Sequence, residues 1–193
     1  MKLLIIFVFG IVSCGWAYAQ SNNIYIEQIG SNNAFAVSQT GNGHLAVIKS
    51  GLGGSVDVSS VTVTQQGAGT KTTMVELTTG YSNSIAISQD GNGQHNATVQ
   101  NYAGSANSIA ITQTGNANNT FTVIGNAGTT NNANSINATQ GGGVGADKTF
   151  TLNMNGTTGA NVTVQQTNPT QPNNGSMSIQ CFSSCGSYSY IRQ

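Results

Sequence analysis

The chain has 193 residues, of which five are Lys or Arg and five are Asp or Glu, for a formal net charge of zero. That is about a fifth of the usual charged share, and neutralising phosphates takes clustered Lys and Arg, so nucleic acid is excluded as a partner. The length suffices for one domain with a core, but small polar side chains and 25 glycines stand where charges would be, and Pro occurs only twice.

The first element is a targeting segment. Lys2, the apolar run from Leu3 to Val12 and the small residues around Ala17-Tyr18-Ala19 read as a cleaved secretory signal, too short to span a membrane. A competing reading takes Ile11-Val12-Ser13-Cys14-Gly15 as a degenerate lipoprotein box. The expected organisation is a signal peptide over 1–19, cleaved after Ala19, then repeats over 20–181 and a tail or cap over 182–193. No second apolar run follows, so a secreted chain without a transmembrane segment is expected.

From here on apolar and polar residues alternate, and a strand turns alternate side chains to opposite faces. Asn22, Ile24, Ile26 and Gln28 form a first strand, Gly30 turns the chain, and Asn33, Phe35, Val37 and Gln39 form a second. Beyond Gly41, His44, Ala46, Ile48 and Ser50 again resemble the second type, so the alternation of types slips once here. Ser59, Val61, Val63 and Gln65 recover the first type; past Gly67, Thr70, Thr72, Met74 and Glu76 answer as the second.

The two clearest copies come next. Asn83, Ile85, Ile87, Gln89 and the turn at Gly91 lead to His95, Ala97, Val99 and Asn101. Shifted by 24 residues, Asn107, Ile109, Ile111, Gln113 and Gly115 lead to Asn119, Phe121, Val123 and Gly125. Asn134, Ile136, Ala138 and Gln140 then pair with Lys148, Phe150, Leu152 and Met154, and Ala160, Val162, Val164 and Gln166 with Gly175, Met177, Ile179 and Cys181. First-type glutamines thus stand at 28, 65, 89, 113, 140 and 166, spaced 37, 24, 24, 27 and 26, which gives thirteen strands. Self-similarity at such a period marks a solenoid. The fold expected is all-β, a β-solenoid of two-strand coils with cross-β stacking, about six to seven coils in all.

One coil cannot offset its own ordering entropy, since each buried aliphatic side chain contributes roughly 1.5–3 kcal/mol. Several stacked coils can. Inward Asn and Gln are costly alone, but in register each amide donates to one neighbouring copy and accepts from the other, forming a ladder. Glu76 departs from that rule, because an ionised carboxylate cannot donate; it is expected to be protonated or to lie at an edge.

The pattern Asn22-x5-Gln28-x-Gly30-x2-Asn33-x-Phe35-x3-Gln39, echoed at Asn83, Gln89 and Gly91, resembles the curlin repeat of curli subunits, bacterial functional amyloids of biofilm matrices. The likeness runs over nearly all of the chain after the signal, with departures at Phe35, Phe121, His44, His95 and the segment from Cys181 to Tyr190. It implies a secreted, extracellular or cell-surface fibre that polymerises end to end. It implies as partners the chain itself, a nucleating subunit and an outer-membrane export pore. Asp57, Asp90 and Asp147 then resemble gatekeeper charges against premature assembly.

Other chemistries find less support. Polysaccharide-acting solenoids need paired carboxylates, yet the acids are scattered at Glu27, Asp57, Glu76, Asp90 and Asp147, so no enzyme is expected. No cofactor or metal site is expected either: His44 and His95 stand where other copies have Asn, and the calcium-repeat match from Gly142 to Asp147 occurs once. Cys181 and Cys185 leave two readings open, a disulfide or two unbonded residues of a terminal loop. The alternative function is a monomeric secreted solenoid with an ice- or surface-binding face built from Thr62, Thr64, Thr120, Thr122, Thr149 and Thr151, although these are expected to fall in unlike strands.

Overall fold

The structure, a computed structural model, describes residues 21–28, 32–49, 56–57, 59–76, 80–100, 104–125 and 131–193. The signal expected over 1–19, the turn at Gly30, and Ser50 and Asn101 lie outside the described residues. In chain order the strands are β1 (Asn23–Ile26), β2 (Ala34–Gly41), β3 (Leu45–Lys49), β4 (Val56–Asp57), β5 (Ser60–Gly67) and β6 (Lys71–Glu76). There follow β7 (Gly80–Tyr81), β8 (Ser84–Gln89), β9 (His95–Gln100), β10 (Ser108–Gly115) and β11 (Asn119–Gly125). The last five are β12 (Ser135–Gly142), β13 (Lys148–Asn155), β14 (Asn161–Gln166), β15 (Asn173–Gln180) and β16 (Ser187–Arg192).

Two seven-stranded sheets carry the fold, one in the order β1-β3-β6-β9-β11-β13-β15 and the other β2-β5-β8-β10-β12-β14-β16, while β4 pairs with β7 alone. We refer to them as the first and second sheets. All pairings are parallel and in register, for example Ile85↔Ile109↔Ile136 in the second sheet and Phe121↔Phe150 in the first. The chain therefore climbs as a β-solenoid, delivering one strand to each sheet per coil.

Three expectations are corrected by this topology. The alternation never slips: β1, with Asn22, Ile24, Ile26 and Gln28, lies in the first sheet, and β2, with Phe35, Val37 and Gln39, lies in the second beside Val61, Val63 and Gln65. The Asn-x-apolar-x-apolar-x-Gln motif occurs at Asn22–Gln28 in the first sheet and at Asn33–Gln39 in the second, so the motif alone does not decide which sheet a strand enters. Secondly, β6 is read one residue out of register. Lys71, Thr73 and Val75 point inward and are fully buried, facing His95, Ala97 and Val99, whereas Thr72, Met74 and Glu76 turn outward, with Glu76 beside Lys49. A one-residue slip sends every side chain to the other face, so Glu76 leaves the inward set altogether. Thirdly, the segment after Cys181 holds a regular strand, β16, which pairs Tyr188 with Val162, Tyr190 with Val164 and Arg192 with Gln166. The two sheets thus hold fourteen strands, not thirteen.

Between the sheets lies a dry core from Ala46 and Ile48 to Leu152, Met154 and Val164, nearly all of it without solvent exposure. The outward positions, such as Ser84, Ala86, Asn137 and Thr163, are small or polar. Parallel sheets are usually covered on both faces; these accept water on one face because little apolar surface is left there. Corners are tight where Gly41, Gly67, Gly91 and Gly115 stack. A Cβ on Gly91 would lie 2.3 Å from the Gly115 carbonyl oxygen, and its φ of +110° is a region that favours glycine. At the opposite corner non-glycine residues take positive φ, Ser82, Ala106 and Ala133 in successive coils and Asn32 before β2, at 50° to 58°.

Candidate assembly columns and ends

Glutamines of the second sheet form one continuous ladder. Gln39 Nε2 donates to Gln65 Oε1 at 2.7 Å, Gln65 to Gln89 at 2.9 Å, Gln89 to Gln113 at 2.8 Å, Gln113 to Gln140 at 2.8 Å and Gln140 to Gln166 at 2.7 Å. Each amide carries two protons, and the second one crosses to a backbone carbonyl of the first sheet. The acceptors are Asn23, Leu45, Thr72, Asn96, Thr120 and Thr149 in turn, at 2.9–3.3 Å. The column hence ties coil to coil and sheet to sheet at once. Gln28 does not belong to it; Gln39 opens it.

A second amide column runs the other way. Asn134 Nδ2 donates to Asn107 Oδ1 and Asn107 Nδ2 to Asn83 Oδ1, both at 3.1 Å, while the Asn83, Asn107 and Asn134 oxygens also accept the backbone N–H of the following copy, as Asn33 does from Ser59. Toward the C-terminal end Ala160 replaces the amide. Val162 and Val164 continue the apolar columns, fully packed.

The first column of the first sheet holds an unexpected set of groups. Asn22, His44, Lys71, His95, Asn119, Lys148 and Asn173 follow one another at its inward starting position. Lys71 and Lys148 have no exposed surface. The Lys71 ammonium is met by the carbonyls of Gly69, Gly91 and Gly93 at 2.7, 2.8 and 2.9 Å, one acceptor for each proton. Lys148 donates to Ala146 and Gln171 carbonyls. Burial lowers the pKa of both lysines below 10.5, opposed by Asp90 at Lys71 and by Asp147 at Lys148. Sequence reasoning missed Lys71. Its signal was there: Lys71, His95 and Asn119 each stand six residues after Gln65, Gln89 and Gln113.

His95 Nε2 lies 2.9 Å from the Asp90 carbonyl oxygen, and its Nδ1 lies 3.2 Å from Asn119 Nδ2. The first contact calls for a proton on Nε2 and the second for a bare Nδ1, so the ring is neutral with a fixed tautomer. Burial lowers the pKa of His95 and of His44 below 6.5, and the nearby Lys71 ammonium lowers both further. Among the described residues no three His, Cys, Asp or Glu side chains gather as a metal site would require. Cys181 and Cys185 are joined in a disulfide.

At the two ends the core comes open. Ile24 and Ile26 are 47% and 38% exposed, although their neighbours Ala46 and Ile48 are fully buried. Phe35 and Val37 on β2, and Met177, Tyr188 and Tyr190 on β15 and β16, are only partly covered. Tyr190 fills part of the space left by Gly175, its ring centroid 4.9 Å from that of Phe150, which in turn stacks on Phe121 at 5.6 Å. Comparison with protein-family models, with curated proteins and with solved structures finds no match.

Proposed function

We propose that this chain is the structural subunit of an extracellular, curli-like amyloid fibre, assembling head to tail in a biofilm matrix or in adhesion. The observation that carries the reading is the pair of open ends. Each presents two parallel strand edges over a half-covered apolar face, and the face at one end continues the columns that stop at the other. Unpaired edges template further strands, and a contact between unlike ends does not close, so it propagates as a filament. The resemblance of the repeats to curlin supports the same reading, as does the apolar segment from Leu3 to Val12, which fits export through a signal peptide cleaved after Ala19. A nucleating subunit and an export pore are the further partners this implies; no catalytic role is proposed. Incubating the purified protein should give thioflavin-positive fibres with a 4.7–4.8 Å reflection. A lasting soluble monomer refutes it.

A second reading has one observation in its favour. Thr98, Thr122 and Thr151 are register neighbours on the outer face of the first sheet, as are Thr120 and Thr149, and Ser38, Thr64, Ser88, Thr112 and Thr139 line up on the second. Of the threonines singled out in the sequence, four are therefore adjacent and Thr62 and Thr64 lie on the opposite sheet. Flat hydroxyl rows suit an ice- or surface-binding monomer. Thermal hysteresis in a non-fibrillar solution is the result that would favour it.

A further inference from the structure

The glutamine ladder has a direction, and its two ends are chemically unlike. Every member donates toward the C-terminal coil. Gln39 therefore turns its amide oxygen toward the N-terminal end, where β2 is the last described strand of its sheet. At the other end the residue in register after Gln166 is Arg192. A guanidinium donates five hydrogen bonds and accepts none, so the ladder cannot pass through it. Accordingly Gln166 Nε2 turns aside to Asn173 Oδ1 at 2.9 Å, which also accepts from the Tyr190 hydroxyl at 2.9 Å. Arg192 is exposed on the end strand. The acceptor end of the stack and a donor-only side chain thus stand at the same column on opposite ends.

We propose that across the junction between two copies the Arg192 guanidinium donates to Gln39 Oε1 of the next subunit, restarting the ladder that Gln166 terminates. Continuing the register of the second sheet sets Tyr188 over Phe35 and Tyr190 over Val37 in the same step; in the first sheet Met177 meets Ile26. This proposal rests on the head-to-tail reading and names the residue that gives it direction. A copy docked the wrong way round would bring two like ends together, both carrying Gln39 or both carrying Arg192, so the donor and acceptor of this pair could not meet. Strand β2 carries no carboxylate, so the guanidinium has no competing ion pair there.

Seeded elongation of the purified protein tests it. Arg192→Glu removes the donor and should slow elongation at least about tenfold. Gln39→Arg alone sets two guanidinium groups face to face and should slow it likewise, while still able to donate to Gln65. Combining Arg192→Glu with Gln39→Arg exchanges donor and acceptor across the junction and should restore the rate. Ser189→Glu, which adds an outward charge to the same strand, should elongate like the parent and shows that charge alone is not the cause. Far-UV circular dichroism of each unassembled variant checks that the solenoid has formed. Parental rates for Arg192→Glu, or a folded double variant that fails to recover, overturn the Arg192–Gln39 pairing and leave fibre formation standing. A parent protein that forms no fibres overturns both.

Discussion

Replacing Gln113 by Leu cuts the glutamine ladder at its centre with little change in volume. Three buried groups lose a partner: the Gln89 amide at 2.8 Å, the Gln140 oxygen at 2.8 Å and the Asn96 carbonyl at 2.9 Å. At roughly 1–3 kcal/mol for each unsatisfied buried group the loss is roughly 3–9 kcal/mol. Burying hydrocarbon instead returns about 1.5–3 kcal/mol, leaving a destabilisation of about 4 kcal/mol at the middle of both ranges. Gln39→Leu removes a similar side chain from the half-buried end of the column, where only the Gln65 oxygen and the Asn23 carbonyl lose a partner, and should cost less than Gln113→Leu. Urea unfolding of dilute, unassembled protein, followed by circular dichroism, compares the two. A third variant fixes the cause. In Gln113→Glu the protonated acid can still donate, but the carboxylate cannot. Burial raises the folded-state pKa above the unfolded value of about 4.3, so stability is present below that pH and is lost as pH rises through the folded pKa. If Gln113→Leu is no costlier than Gln39→Leu, or Gln113→Glu shows no gain in acid, the ladder does not carry the stability assigned to it.

The remaining predictions concern the corners, the core and the histidines. Gly91→Ala should destabilise strongly, since its Cβ meets the Gly115 carbonyl, while Gly186→Ala, with nothing within 4 Å, should be near neutral by the same urea titration. Ala106→Gly should raise stability by up to about 1 kcal/mol, because alanine at φ 57° is strained where glycine is not. Phe150→Ala, emptying the space between Phe121 and Tyr190, should cost about 3–5 kcal/mol. His44 and His95 have pKa values below 6.5 in the folded chain, so acid protonates the unfolded state first. Stability should therefore be flat above about pH 6.5 and decline as pH falls below it; a double change of His44 and His95 to Asn should flatten urea midpoints measured from pH 7.5 to 5.

Much of the fold was legible because one physical rule dominates it: period-two alternation, repeated at a spacing that returns the same residue to the same column. Ile85, Ile109 and Ile136, with Gln89, Gln113 and Gln140, identify their columns from letters alone. Less legible was anything decided by connectivity. Asn22 to Gln28 reads more like the copy at Asn83 than Asn33 to Gln39 does, yet each corner hands the chain to the opposite sheet, and that overrides the local match. Lys71 is hidden because Thr70, Thr72, Met74 and Glu76 offer an equally regular alternation one residue out of register. Three carbonyls converging at the glycine corner make its burial tolerable, and such a convergence exists only once coils are stacked. Tyr188 and Tyr190 lack the Asn and Gln flanks of the other strands, so β16 offered an alternation too short to recognise.

The double use of each glutamine amide has a mechanical side. Peeling a coil from the middle of the stack would require its ladder amides, the links to the opposite wall and the strand pairing above and below to give way together. In the proposed filament, loss of order would therefore start at an exposed terminus or in a surface loop, and a protease would find cleavable chain there and not along the walls. The longer the filament, the smaller the fraction of material that stands at such a terminus.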